Sequence, residues 1–237
     1  NIIYDCGSSK NEDLIEGCIK NNFEKDEIID TLFISHLDED HINGLPCLLE
    51  HCKVKKIFFP LITDKDNKYL QLYNLIKYEN RSSVAADFLK NPYTISNLNS
   101  NTTLYQVGTG VDMQVRNNIN AQSVSSGDNV AQIIFPDDVK ENKIYEKWLY
   151  IPYNFRREDR VKQLQDELNK SFGKNMDNED LHKIWEKGNG NERKRIKKAY
   201  RAVKGSFNTN SMTLYSGMKK CGNRQEISDF KHCKNFC

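Results

Sequence analysis

The sequence predicts a layered α/β fold with parallel strand pairing, and three observations predict it. Over residues 1–60, short apolar runs alternate with segments whose apolar residues recur at helical spacing. Strand, helix, strand, loop and helix in that order bring strands side by side in parallel, through crossovers that lie on one face of a sheet. Further on, residues 103–136 change to short β-rich pieces, and residues 137–207 to highly charged helical sequence.

Asn1 to Gly7 reads as a buried strand ending in Asp5-Cys6-Gly7, where the glycine permits a turn. In residues 11–22, Leu14, Ile15, Cys18 and Ile19 form the apolar stripe of a helix, and Asp30 to Ile34 is the next strand. Leu45, Leu48 and Leu49 mark a short amphipathic helix, and Val54 to Phe59 a strand closed by Pro60. Residues 66–90 carry two helical patterns, one on Tyr69, Leu72, Tyr73 and Ile76, the other on Val84, Ala85, Phe88 and Leu89.

The β-rich region offers Leu104 to Val107, Val111 to Val115 and Ala131 to Pro136, separated by asparagine, glycine and serine clusters. Trp148 to Tyr153 is an apolar strand or hinge. After it come three helices, marked by Val161, Leu164, Leu168 and Phe172, by Leu181, Ile184 and Trp185, and by Ile196, Ala199, Tyr200 and Val203. The expected division is therefore 1–136 as a first half, 137–207 as a helical insertion, and 208–237 as a return strand and the start of a second half.

One stretch organises the rest. Ser35-His36-Leu37-Asp38-Glu39-Asp40-His41 follows the apolar Leu32-Phe33-Ile34 and runs into Ile42, Gly44 and Leu45. A solvated loop has no need of apolar sequence on both sides. Two imidazoles and two carboxylates leaving a buried strand can be aimed at a single point, which is what a metal site requires. The candidate ligands are His36, Asp38, Asp40 and His41.

These residues resemble the first metal motif of the metallo-β-lactamase fold, His-x-His-x-Asp-His, with aspartate in place of the second histidine. The variant Ser-His-x-Asp-x-Asp-His-x-x-Gly-Leu is similar to the competence-protein (ComEC-like) type, a group that includes nucleases and phosphodiesterases. The resemblance is strongest over residues 1–60. It implies an αββα sandwich with an inserted charged helical subdomain, and two divalent metals, zinc first with manganese as the alternative. His36 and Asp38 would serve one metal and Asp40 and His41 the second, the last two being the catalytic candidates. Asp38 in place of histidine hardens the ligand set, which brings manganese closer to zinc.

The same resemblance makes Asp5 a supporting carboxylate rather than a ligand, and places Asn208 and Ser211 in a supporting Asn-x-x-Ser strand. From the residues alone, Asp5 could equally be a turn residue capping the next helix. The bridging aspartate and later histidine of the family have no counterpart in these 237 residues, so the chain reads as an incomplete copy of the domain. The missing ligands would lie beyond Cys237, in a partner chain, or nowhere.

Composition bounds the function classes. The net charge of +2 gives no global argument for nucleic acid, but basic residues outnumber acidic ones in the insertion. Arg193, Lys194, Arg195, Lys197, Lys198 and Arg201 crowd its last helix, a surface suited to a phosphate backbone or an acidic protein partner. The apolar runs are too short to span a bilayer, so no membrane association is expected. Seven scattered cysteines and no secretion leader at Asn1 to Asp5 suggest reduced thiols and a cytoplasmic address. Cys221, His232, Cys233 and Cys237 have donors that suit zinc, but no recognised zinc spacing.

Two function classes follow. One, implied by the resemblance, is a hydrolase of phosphodiester bonds, a nuclease or nucleotide phosphodiesterase, in DNA handling or bacterial defence. The other is a non-catalytic module of the same fold that binds a protein or nucleic acid through residues 137–207. Hydrolysis of a neutral carbonyl substrate, a lactone, thioester or β-lactam, ranks behind both, because this variant of the motif and the cationic insertion point to phosphate.

Overall fold

The computed structural model describes residues 1–10, 12–77, 83–96, 101–109, 121–134, 145–203 and 210–220. Strand β1 (Ile2–Tyr4) leads into helix α1 (Glu12–Asn22), and the two short strands β2 (Ile28–Ile29) and β3 (Thr31–Phe33) follow. Next come α2 (Glu39–Ile42), α3 (Leu45–His51), β4 (Lys53–Val54), β5 (Lys56–Pro60), α4 (Asp64–Lys77), α5 (Val84–Lys90) and α6 (Pro92–Ser96). Strands β6 (Thr103–Gly108), β7 (Gln122–Ser125), β8 (Ala131–Ile134) and β9 (Tyr145–Arg156) precede α7 (Glu158–Phe172), α8 (Asn178–Lys187), α9 (Gly190–Ala202) and β10 (Asn210–Lys220).

The predicted α/β class and parallel pairing are present. A five-stranded sheet runs in the order β1-β3-β5-β6-β7 with every pair parallel. A second sheet, β10-β9-β8, is antiparallel. The inner strands β3 and β5 are short and apolar because both faces of the sheet are covered there. One face carries Leu32 and Ile57 into a large core with the helices. The other carries Phe33, Phe58 and Val107 onto Met212 of β10, with Tyr150 and Leu214 packed around them. Phe33 and Phe58 stack at 5.1 Å, and Phe58 and Tyr105 at 4.6 Å. Burying each such ring contributes roughly 1.5–3 kcal/mol.

These contacts make three layers: helices, parallel sheet and antiparallel sheet. The described helices bury their apolar side chains in the first core, so the outer helical layer of a four-layer sandwich is not seen among the described residues. The helix of residues 11–22 forms, but its buried stripe is narrower than the spacing predicts. Ile19 is buried, whereas Leu14 is 57% exposed.

The segment 137–207 is not helical throughout, since β9 occupies residues 145–156 and extends the strand read at Trp148 to Tyr153. The helices α7, α8 and α9 form where the apolar spacing places them. Asn189 and Glu192 complete a capping box at α9, and Gly173, at φ 67°, closes α7 in the left-handed conformation. Leu164, Leu168, Leu181, Ile196 and Tyr200 join the same core as α1 to α6 rather than making their own. The Tyr200 hydroxyl donates to the Tyr69 carbonyl at 2.9 Å, Tyr69 donates to Gln165, and Arg156 pairs with the fully buried Asp66 at 3.1 Å. All three join α4 to the later segment.

Candidate metal centre

The motif leaves the C-terminal end of β3, the end at which α/β sheets present their sites. Ile34 is still paired, its N–H donating to Phe58 at 2.8 Å, and from Ser35 onward the backbone turns out of the sheet. Two neighbours shape that turn. The Cys6 N–H donates to the His41 carbonyl at 2.9 Å and the Gly44 N–H to the Cys6 carbonyl at 3.0 Å, so the turn after β1 is laced to α2. A Cβ on Gly7 would stand 2.5 Å from the Asp40 carbonyl oxygen, which is why only glycine fits there. From the other side, the Met212 N–H of β10 donates to the Ser35 carbonyl at 2.6 Å, and the Tyr4 hydroxyl to the Met212 carbonyl at 2.8 Å.

Asp5 sits at the centre of this arrangement. Its φ of 59° is left-handed, a conformation that aspartate adopts more readily than most residues. Its Oδ1 accepts the Ser35 N–H at 2.6 Å, and its Oδ2 accepts the Ser35 hydroxyl at 2.7 Å and lies 2.9 Å from His41 Nδ1. The Ser35 oxygen in turn lies 2.8 Å from His36 Nδ1. With the serine proton given to Asp5, the hydrogen-bond network assigns one tautomer to both rings: His36 Nδ1–H donates to Ser35, and His41 Nδ1–H to Asp5. Both Nε2 atoms are thereby left to face the remaining carboxylates.

Those carboxylates come in pairs with the histidines. His36 Nε2 is 3.9 Å from Asp38 Oδ2, and His41 Nε2 is 3.8 Å from Asp40 Oδ2. The two rings lie 3.7 Å apart between centroids. Asp38 occupies the N-cap position of α2, yet its side chain does not cap the helix. The described residues hold no group of three His, Cys, Asp or Glu side chains converging on one point, so the motif stands as two pairs rather than a single cluster.

The environment fits dication binding. Burial, first, and the neighbouring His41 hold His36 down at about 4, so its ring is neutral near pH 7. Burial pushes Asp38 up to about 6. For His41, burial acts downward, but the Asp5 hydrogen bond and charge, with Asp40 and Asp38, outweigh it and raise the value above the usual one. Asp40 Oδ1 is buried without a hydrogen-bond partner, and the Lys77 ammonium stands 3.9 Å from it. Each pair joins an imidazole nitrogen to a carboxylate oxygen, donors of the kinds that zinc and manganese take. Donor types, tautomers and an unsatisfied oxygen all suit a divalent cation, and each pair supplies two of the positions it needs.

The structure thus brings together Asp5, His36, Asp38, Asp40 and His41. Ser211 is not among them; it pairs with Phe155 on β9 and precedes Met212, whose N–H donates to the Ser35 carbonyl, and Asn208 lies outside the described residues. His51 and His182 do not join; they bond the carbonyls of Phe23 and Lys68. Cys221, His232, Cys233 and Cys237 fall outside the described residues, and the described Cys6, Cys18 and Cys47 are free thiols.

On α9, Arg193 donates to the Glu186 carbonyl, Arg195 lies over Phe172 and Lys197 over Trp185. Lys194, Lys198 and Arg201 are exposed at helical spacing on one face. Sequence reasoning missed Lys77, which reaches the motif from the end of α4, and Glu39, which is buried between the two aspartates. Three acids in succession at a helix start cannot share a direction, and that was the available signal for Glu39.

Residues 1–72, less than a third of the chain, match the model of the metallo-beta-lactamase superfamily. The matched stretch contains Asp5 and the whole His36 to His41 motif. No curated protein and no solved structure matches the chain.

Proposed function

We propose that the chain carries the first half of a metal-dependent hydrolase site that acts on phosphodiester bonds. The observation that carries the reading is the pairing of His36 Nε2 with Asp38 and of His41 Nε2 with Asp40, with both Nδ1 atoms tied back through Ser35 and Asp5. The superfamily match over the same residues supports metal-dependent hydrolysis as the general class. His36 and Asp38 would hold one divalent cation and Asp40 and His41 the second, zinc first and manganese as the alternative.

When bound, such a pair supplies Lewis-acid polarisation of a phosphoryl oxygen and acidifies water towards neutral pH. The protein's own part is orientation and charge. Asp5 holds a proton on His41 Nδ1, which keeps Nε2 a donor of its lone pair. Ser35 does the same for His36. Asp40 and Asp38 concentrate negative charge where cations gather, and Lys77 sets one positive group at the rim, where an anionic substrate oxygen can be met. Lys194, Lys198 and Arg201 extend a cationic face on α9 that suits a nucleic-acid backbone.

Metal content and metal-dependent cleavage of DNA, RNA and small cyclic nucleotides test the reading. Wild-type activity equal to that of the Asp40→Ala, His41→Ala double variant would remove it. The second reading, a binding module of the same fold, is favoured by the two-donor pairs, since no third donor joins either pair among the described residues. A protein that takes up no metal on titration yet binds a protein or nucleic acid through α7 to α9 would establish that module instead. The resembled competence-protein type and a cytoplasmic address belong to the first reading. Free thiols at Cys6, Cys18 and Cys47 suit a reducing compartment, and no described helix is long and apolar enough to cross a membrane.

A further inference from the structure

Helix α2 has four residues, too few to hold its own shape, so its orientation must come from what grips it. On one side the grip is the Cys6 and Gly44 backbone bonds together with a reciprocal pair between Asn43 and Ser8, whose side chain and backbone exchange hydrogen bonds at 2.9 Å. On the other side there is Glu39. Only 4% exposed, it extends away from the metal motif to the start of α5.

Its Oε2 accepts the Ser83 hydroxyl at 2.6 Å and the Ala85 N–H at 2.9 Å, and its Oε1 accepts the Val84 N–H at 3.0 Å. Ser83 is itself fixed, because its oxygen caps the Ala86 N–H at 3.1 Å. A carboxylate is costly to bury unless its oxygens are met by donors, and three donors meet this one.

Successive residues within a helix point about 100° apart, so fixing Glu39 fixes the direction of Asp40, while Asp38, the extended N-cap residue, is tied to Glu39 through the peptide bond between them. With Glu39 directed at α5, Asp38 turns to His36, and Asp40 to His41 and Lys77. We infer that Glu39 is a positioning residue: its clamp on Ser83, Val84 and Ala85 sets the rotation of α2 and thereby the aim of the Asp38 and Asp40 carboxylates. The inference rests on the metal-centre reading of these two aspartates. Glu39 touches neither cation nor substrate; it acts through the backbone it holds.

Zinc affinity and the visible absorption of the cobalt-substituted protein test it, on the wild type, Glu39→Gln, Ser83→Ala and Ile196→Val. Glu39→Gln places an amide donor against N–H groups and should weaken zinc binding about 10- to 100-fold, with a shifted cobalt spectrum. Ser83→Ala removes one of the three hydrogen bonds together with the cap on Ala86, keeps the Glu39 carboxylate, and should give part of that loss. Ile196→Val thins the core at α9, far along the chain from the motif, and should lower the melting temperature while leaving affinity and spectrum unchanged. Glu39→Gln and Ser83→Ala proteins that match the wild type in both readouts would overturn the inference, as would an equal loss in Ile196→Val. A wild-type protein that takes up neither metal would remove the metal-centre reading itself, and the role of Glu39 with it.

Discussion

Asp5 Oδ2 lies 2.9 Å from His41 Nδ1, and the same oxygen accepts the Ser35 hydroxyl that meets His36. One carboxylate oxygen thus governs which nitrogen of two histidines carries a proton. Asp5→Asn should undo this. An amide nitrogen facing His41 Nδ1 favours the tautomer with its proton on Nε2, which closes that atom to a cation. Zinc affinity should fall about 10- to 100-fold, read by titration against a chromophoric chelator, with helix content unchanged.

The two pairs predict two separable losses. His36→Ala with Asp38→Ala should leave binding at the Asp40 and His41 pair, and the reverse double variant should leave binding at the other. Elemental analysis after dialysis would then find about half of the wild-type metal in each variant. Complete loss from either would show that the four residues act on one cation instead.

Gly7→Ala should damage the centre without touching a ligand. The added methyl would meet the Asp40 carbonyl oxygen at 2.5 Å and the His41 carbonyl carbon at 2.7 Å, both backbone atoms with no side-chain freedom to yield. Overpacking of this kind costs about 1–3 kcal/mol. The expected outcome is a lower unfolding midpoint in urea together with weaker metal uptake.

Lys77→Met should separate substrate charge from metal loading. The ammonium stands 3.9 Å from Asp40 Oδ1, so its removal should strengthen cation binding at that pair. Loss of one charge-assisted hydrogen bond of about 1.5–3 kcal/mol should raise KM for a phosphodiester about ten- to a hundredfold, and leave KM for a neutral ester with the same leaving group unchanged. Steady-state kinetics on the two substrates decides it.

Replacing Lys194, Lys198 and Arg201 together by glutamine should weaken binding of nucleic acid of any sequence. The slope of log affinity against log salt should fall by about one for each phosphate that the protein no longer neutralises. An unchanged slope would place nucleic acid elsewhere on the protein, or nowhere.

Much of this site was legible because its residues are consecutive. His36, Asp38, Asp40 and His41 lie within one turn-and-helix segment behind the apolar Leu32 to Ile34, and local chemistry alone marks them. Lys77 and Ser83 reach the same place through folding, and nothing in their own neighbourhoods announces it. The three helices of the insertion were equally plain from their apolar stripes. Such a stripe says that a face is buried and not which element covers it, so their sharing of the main core with α4 was not visible. Strand β7 shows no apolar alternation across Gln122 to Ser125 and owes its conformation to pairing with β6. Its sequence carries no signal to read.

The bond from the Met212 N–H to the Ser35 carbonyl has a kinetic consequence. Strand β10 follows the whole α7 to α9 segment, so the contact that braces the motif from that side closes a very long loop and forms among the last. During synthesis the motif's own segment emerges well before its brace does. The nascent chain therefore passes through a stage in which the four metal-binding candidates are already exposed to the cell's cations while the strand that steadies Ser35 is still on its way.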